Sequence, residues 1–236
     1  MDPVSTRWSA PVLHRDDAVL VVDKPSGLLV HRGWADDPVT LVDLVRRLVG
    51  GGKVHPAHRL DRGCSGAVLF VLDAGTARRV AGMLERGEIT KRYLALVRGE
   101  PPARGTIDHP IARKPGGPAV PARTDFRLLH RARTEPRHVS LVEATTLSGR
   151  LHQVRRHLKH IDHPLIGDAN YGKGPLNRAL RERYGLERLA LHAAAIELRH
   201  PRTDARIEVR APLPDDLRAP LARMGFPDPV LEAAQR

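Results

Sequence analysis

Aromatic side chains are scarce in this 236-residue chain: two Trp, three Tyr and three Phe make up 3% of it. So few rings exclude a binding surface built on rows of stacking side chains, and they demand an aliphatic core. The single cysteine, Cys64, excludes an intramolecular disulfide and any zinc site made from several thiolates. No run of about 18 apolar residues occurs, so nothing reads as a membrane span. The opening stretch MDPVSTRWSAPVLHRDD lacks the apolar centre of a secretory signal. The expectation is a soluble, cytoplasmic, monomeric protein. Acidic residues are also few: 27 Asp and Glu face 39 Lys and Arg, a net charge of +12. That excess points to an anionic partner, nucleic acid first. The strong preference for Arg over Lys fits a composition bias as well. Hydrophobic content of 41% and charged content of 28% are those of an ordinary globular protein, which excludes global disorder.

The apolar residues come in short blocks. Val19 to Val22 reads as a strand closed by the turn Lys24-Pro25-Ser26-Gly27. Thr40, with Asp43 three residues on, reads as a capping box for a helix through Leu41, Leu44, Val45 and Leu48, stopped by Gly50 to Gly52. Ala67 to Leu72 is apolar throughout, as in a strand buried on both faces. Ala77, Val80, Ala81 and Leu84 predict a helix ended by Gly87. Tyr93 to Val97 and Val139 to Thr145 predict strands, and residues 100–138 read as loops and short strands. Leu151, Val154, Leu158 and Ile161 share one helical face. A short helix opens at Pro175 and ends near Gly185. Two strands, Leu189 to Leu198 and Arg206 to Arg210, flank a turn at 200–204. Little signal follows Asp215. Strands outnumber helices without regular βαβ alternation, so the fold class is α+β with a central mixed, mainly antiparallel sheet flanked by helices and loops. One domain over 13–212 is expected, with an N-terminal arm at 1–12 and a C-terminal tail at 213–236.

Three stretches could carry chemistry. In His58-Arg59-Leu60-Asp61-Arg62-Gly63-Cys64-Ser65-Gly66, a carboxylate stands between two cations in a loop that enters the buried strand. Flanking Arg side chains keep a carboxylate ionised and nucleophilic. A salt-bridged Asp that merely fixes the turn reads equally from the charges. In Ser148 to His160 the apolar stripe faces inward and Arg and His fill the other faces, as on a solvated basic helix or an RNA-phosphate surface. His152, His157, His160 and His163 match no strong zinc spacing and no HExxH, so no metal is expected. Lys91-Arg92-Tyr93-Leu94-Ala95 places a Tyr at a strand start, either in the core or in a site.

Taken in order, these stretches resemble the RluA family of pseudouridine synthases. The resemblance rests on Lys24-Pro25-Ser26-Gly27, on His58 to Asp61 with Ser65-Gly66, and on Lys91 to Ala95. It continues through Gly149-Arg150-Leu151-His152-Gln153-Val154-Arg155, His163 to Asp168 and Leu191-His192-Ala193. Cys64 departs from the Thr usual there. The resemblance implies an RNA pseudouridine synthase that needs no cofactor or metal and takes structured RNA as its partner. Asp61 would be the catalytic carboxylate, attacking C1′ or acting as a base at C2′. Arg155 would pair with it, and Tyr93 would stack under the target base. Arg62 would enter the base stack vacated when the uridine is extruded. With Arg59, Arg150, His152, Gln153, Arg156 and Lys159 it would make the RNA-binding set. Leu29-Val30-His31-Arg32 with Trp34, the pair Arg155-Arg156, and Tyr184-Gly185-Leu186 resemble the branch that modifies uridine 65 in the T stem of tRNA. An rRNA substrate, or a non-catalytic RNA-binding role, is the alternative. The first core strand begins near residue 18, which leaves no room for a preceding S4 RNA-binding domain.

Overall fold

The computed structural model describes residues 8–32, 37–112 and 116–233. Trp34 lies outside them. The elements run β1 (Val12–Arg15), β2 (Val19–Lys24), α1 (Leu41–Leu48), β3 (His55–Pro56), β4 (Ser65–Val71), α2 (Ala74–Arg86) and β5 (Thr90–Arg98). Then follow β6 (Arg104–Asp108), β7 (Ile111–Ala112), β8 (Ala119–Val120), β9 (Arg123–Ala132), β10 (Val139–Thr146), α3 (Gln153–His160) and α4 (Gly174–Tyr184). The chain closes with β11 (Leu191–Arg199), β12 (Arg206–Arg210), α5 (Asp215–Arg223) and α6 (Asp228–Ala233). The α+β class holds. The chain forms two compact units: Met1–Thr90 with Ala195–Ala211, and Lys91–Ala194 with Pro212–Arg236.

In the first unit β2 pairs antiparallel with β1 and with β4, Val19 opposite Val71 and Lys24 opposite Gly66. Every residue of β4 is buried, as its unbroken apolar run requires. The capping box forms: Thr40 Oγ1 accepts from the Asp43 N–H while the Asp43 carboxylate accepts from the Thr40 N–H. Gly87 ends α2 in the left-handed region at φ +72°, where a side chain would be strained. Val19, Val21, Leu69, Val80, Met83 and Ile196 make an aliphatic core.

In the second unit β10 pairs antiparallel with β5 and β9, and β9 with β6. The segment 100–138, read as loops and short strands, thus holds the ten-residue β9. Its exposed Arg123, Arg127 and Arg131 alternate with inward side chains and mask the strand pattern. The C-terminal segment read as a tail is helical. Leu217, Leu221, Met224, Phe226 and Leu231 pack with Leu94, Leu141 and Leu180 in this unit's core. Leu217, Leu221 and Met224 recur at helical spacing, so the signal was there, partly hidden by Pro214 and Pro220. Leu151, placed on the inward stripe of α3, is exposed because the helix begins only at Gln153.

Candidate active site

Asp61 sits in a turn whose backbone is clamped from two sides. The Cys64 N–H donates to the Asp61 carbonyl at 3.0 Å, closing the turn, and Cys64 itself is buried. The end of β2 supplies the other side. Lys24, fully buried, donates from Nζ to the carbonyls of Pro25 (2.8 Å), Leu28 (2.8 Å) and Arg62 (3.3 Å). A buried ammonium demands such acceptors, and three carbonyl dipoles supply partial negative charge. The Gly27 N–H donates to the Arg62 carbonyl at 2.8 Å, and Ser26 Oγ to that of Gly63 at 3.0 Å. Gly27 lies at φ +89°, and a Cβ there would stand 3.0 Å from the Trp8 ring. Both conformation and space therefore require glycine. His58 Nε2 accepts from the Leu69 N–H at 3.2 Å, holding the entry to the loop against β4.

The loop cations divide. Arg59 is exposed. Arg62, also exposed, forms an ion pair with Asp37. Asp61 itself is half-buried.

In the second unit Tyr93 stands on β5 opposite Ala144, half-buried. Two residues earlier, Lys91 is buried and donates to the Leu147 carbonyl at 3.4 Å. Burial lowers its pKa to about 8. Arg155 projects from α3 onto Asp168 in a bidentate pair, Nε–Oδ2 2.7 Å and Nη2–Oδ1 2.9 Å. Both are buried, and the planar fork matches the carboxylate. Asp168 also accepts from the N–H groups of Asn170 (2.9 Å) and Tyr171 (3.0 Å). Burial opposes its ionisation, but Arg155 and these N–H donors outweigh it and hold the pKa below the usual carboxylate value. The Arg155 guanidinium stands 5.1 Å from the Tyr171 ring centroid, a cation–π contact. His152 Nδ1 meets the Tyr171 hydroxyl at 3.1 Å, and its own backbone is left-handed at φ +53°.

Gln153 leaves the RNA-facing set. It is buried, its Oε1 accepts from Ser148 Oγ and the Arg150 N–H, and its amide donates to the Arg123 carbonyl. It anchors the start of α3 and faces no solvent. His157 is buried too, with Nε2 donating to the His109 carbonyl and Nδ1 accepting from Thr124. Arg150 and Arg156 are half-buried and donate to the carbonyls of Pro121 and Ala112; Lys159 is exposed. Asp168 and Lys24 stand in the sequence motifs without an evident role. A Lys two residues after Val22, in register with the buried positions of the strand, is the signal that a core ammonium is present. Among the described residues no helix is long and apolar enough to cross a membrane, and no three His, Cys, Asp or Glu side chains group to hold a metal.

The first unit thus presents Asp61 on a clamped turn, and the second a buried arginine held by the Asp168 carboxylate. Residues 18–160 match the family model described as RNA pseudouridylate synthase, and the chain belongs to that family. It is an isomerase that converts uridine in RNA to pseudouridine. Among curated proteins it is similar to tRNA pseudouridine synthase C of Haemophilus ducreyi, 37% identical over 85% of this chain and 89% of the relative. The protein of that name from Salmonella typhimurium is 36% identical, over 91% of this chain and 90% of the relative. Among solved structures, human RNA pseudouridylate synthase domain containing 4 superposes with a TM-score of 0.73 at 26% identity, covering 93% of this chain and 94% of that one. Human RNA pseudouridylate synthase domain containing 1 does so with the same score and identity, over 96% and 95%.

Proposed function

We propose that this enzyme modifies a uridine in the T stem of tRNA, with Asp61 as its catalytic carboxylate. The observation that carries the reading is the near-complete, mutual coverage of relatives named tRNA pseudouridine synthase C. The clamped turn around Asp61 supports the residue assignment. The reaction is an isomerisation. The C1′–N1 bond breaks, the uracil turns, C1′ bonds to C5, and the C5 proton is lost as N1 gains one. No electrons leave the system, so no redox partner is required. Asp61 acts at the sugar, either attacking C1′ or removing the C2′ proton. Arg155 supplies a fixed positive charge to the reaction, and Tyr93 stacks under the base and serves the proton transfer at C5. Arg62 fills the gap left by the extruded base, and Arg59, Arg150, His152, Arg156 and Lys159 hold phosphates.

Purified enzyme incubated with unmodified tRNA and rRNA transcripts tests this by pseudouridine mapping. Modification of one T-stem uridine is expected, abolished in Asp61→Asn with RNA binding retained. Modification of rRNA alone would reject the tRNA assignment. Substantial turnover by Asp61→Asn would reject Asp61.

A further inference from the structure

The outward face of α3 carries a feature that the chemistry at Asp61 leaves unused. An open groove of about 330 Å³ is lined by His109, Ile111, Arg156, Lys159, His160 and Tyr171, all in the second unit. That volume is at the lower end for ligand sites, which run from about 300 to 1,000 Å³. Among the described residues no carboxylate lines it. The exposed imidazoles of His109 and His160 stack with centroids 3.9 Å apart and planes within 17°.

The walls are built in. The buried His157 ring ties α3 to the His109 carbonyl at 2.9 Å, and Arg156 Nη1 reaches the Ala112 carbonyl at 2.9 Å. The segment bearing His109 and Ile111 is thus pinned to the helix at two points. Tyr171 is fixed through its N–H on Asp168, and Lys159 Nζ lies 5.9 Å from its ring centroid. Positions 156, 159 and 160 are three and four residues apart, so their side chains share one helical face. Among the described residues none of His109, Arg156, Lys159 and His160 has an ion-pair partner. Cationic and imidazole donors gathered without a counter-charge repel one another, and an anion relieves that repulsion.

The geometry points to a phosphodiester-binding groove in which the backbone of the RNA substrate is held between Arg156 and Lys159, against the stacked His109–His160 pair. This rests on the proposed reading of the enzyme as one that acts on tRNA. His109, His160 and Tyr171 join the RNA surface, and His160, whose spacing suits no metal site, becomes a phosphate partner.

Two variants test it: His109→Ala/His160→Ala and Lys159→Glu. All three side chains are exposed, and the unfolding midpoint of each variant confirms folding. Binding of a tRNA transcript is measured between 50 and 200 mM salt, about the range where counterion release is strong. Each variant is expected to weaken binding at least about fivefold. Lys159→Glu should also flatten the dependence of log K on log salt by about 0.7 to 0.9 for each phosphate it no longer neutralises. In turnover assays the effect falls on KM. Binding within twofold of wild type with an unchanged salt slope overturns the groove. If both variants weaken binding but the wild type forms no pseudouridine, the functional reading is overturned and the groove stands. Full turnover with unaffected binding in both variants does the reverse. A groove that binds inorganic phosphate by calorimetry, with tRNA affinity insensitive to both variants, overturns the RNA assignment.

Discussion

Asp168→Asn changes one atom and isolates what the Arg155 pair contributes. Both side chains are nearly sealed, at 9% and 0% exposure, so little water can replace a missing partner. In the variant the amide oxygen still accepts from the Asn170 and Tyr171 N–H groups. Its NH2, however, faces the guanidinium, donor against donor, and the buried positive charge loses the Asp168 carboxylate. Breaking a buried pair from one side costs about 3–5 kcal/mol, and the retained backbone bonds place this case near about 3. Urea unfolding followed by circular dichroism should show that loss at pH 7. The pH dependence carries a sign. Asp168 has its folded pKa depressed, so its contribution is complete above the unfolded value near 3.9 and is lost as pH falls through the folded pKa. The gap between wild type and variant must therefore shrink only below about pH 4. An apolar replacement of both partners, Arg155→Met/Asp168→Leu, should recover most of the stability. A loss under about 1 kcal/mol at pH 7, or a gap that persists unchanged in acid, would refute the reasoning.

Two further outcomes follow from buried amines. Lys24→Met removes the ammonium from the carbonyls of Pro25, Leu28 and Arg62. It also relieves the burial of a charge, so a net loss of about 2–4 kcal/mol is expected. Single-turnover rates should fall as the Asp61 turn loosens, and an unchanged urea midpoint would contradict this. Lys91 has its folded pKa lowered by burial to about 8. Between there and its unfolded value near 10.4 the unfolded chain binds more protons, so stability rises with pH. Relative to Lys91→Met, the wild type should gain about 2 kcal/mol from pH 8 to 10; a flat difference would show that the amine is not desolvated.

Much of the first unit was legible because its rules are local. The Thr40–Asp43 box, the apolar run Ala67 to Val71 of β4 and the glycine after α2 each need only neighbours in sequence. The same holds for α4, opened by Pro175 and closed by Gly185 at φ +71°. What stayed hidden depends on distant partners. The Arg155–Asp168 pair spans 13 residues, and no periodicity announces it. Gln153 and His157 look like surface residues on a basic helix, yet each finds its acceptor on another segment and goes inside. Strand β9 was missed because its outward side chains are arginines, and the tail because two prolines interrupt an otherwise helical spacing.

The clamp on the Asp61 turn has a consequence for the thermodynamics of association. Lys24, Ser26 and Gly27 fix the carbonyls of Arg62 and Gly63 while the protein folds, so the conformational entropy of that backbone is surrendered before RNA arrives. What remains adjustable there is the exposed side chain of Arg62, held by Asp37 in an ion pair of a kind worth about 0–1 kcal/mol. On the proposed reading, in which Arg62 enters the vacated base stack, exchanging that carboxylate for the nucleic-acid partner is close to neutral in free energy. Selectivity among RNAs at this loop then falls to the cost of unstacking the nucleotide itself, a property of the RNA fold.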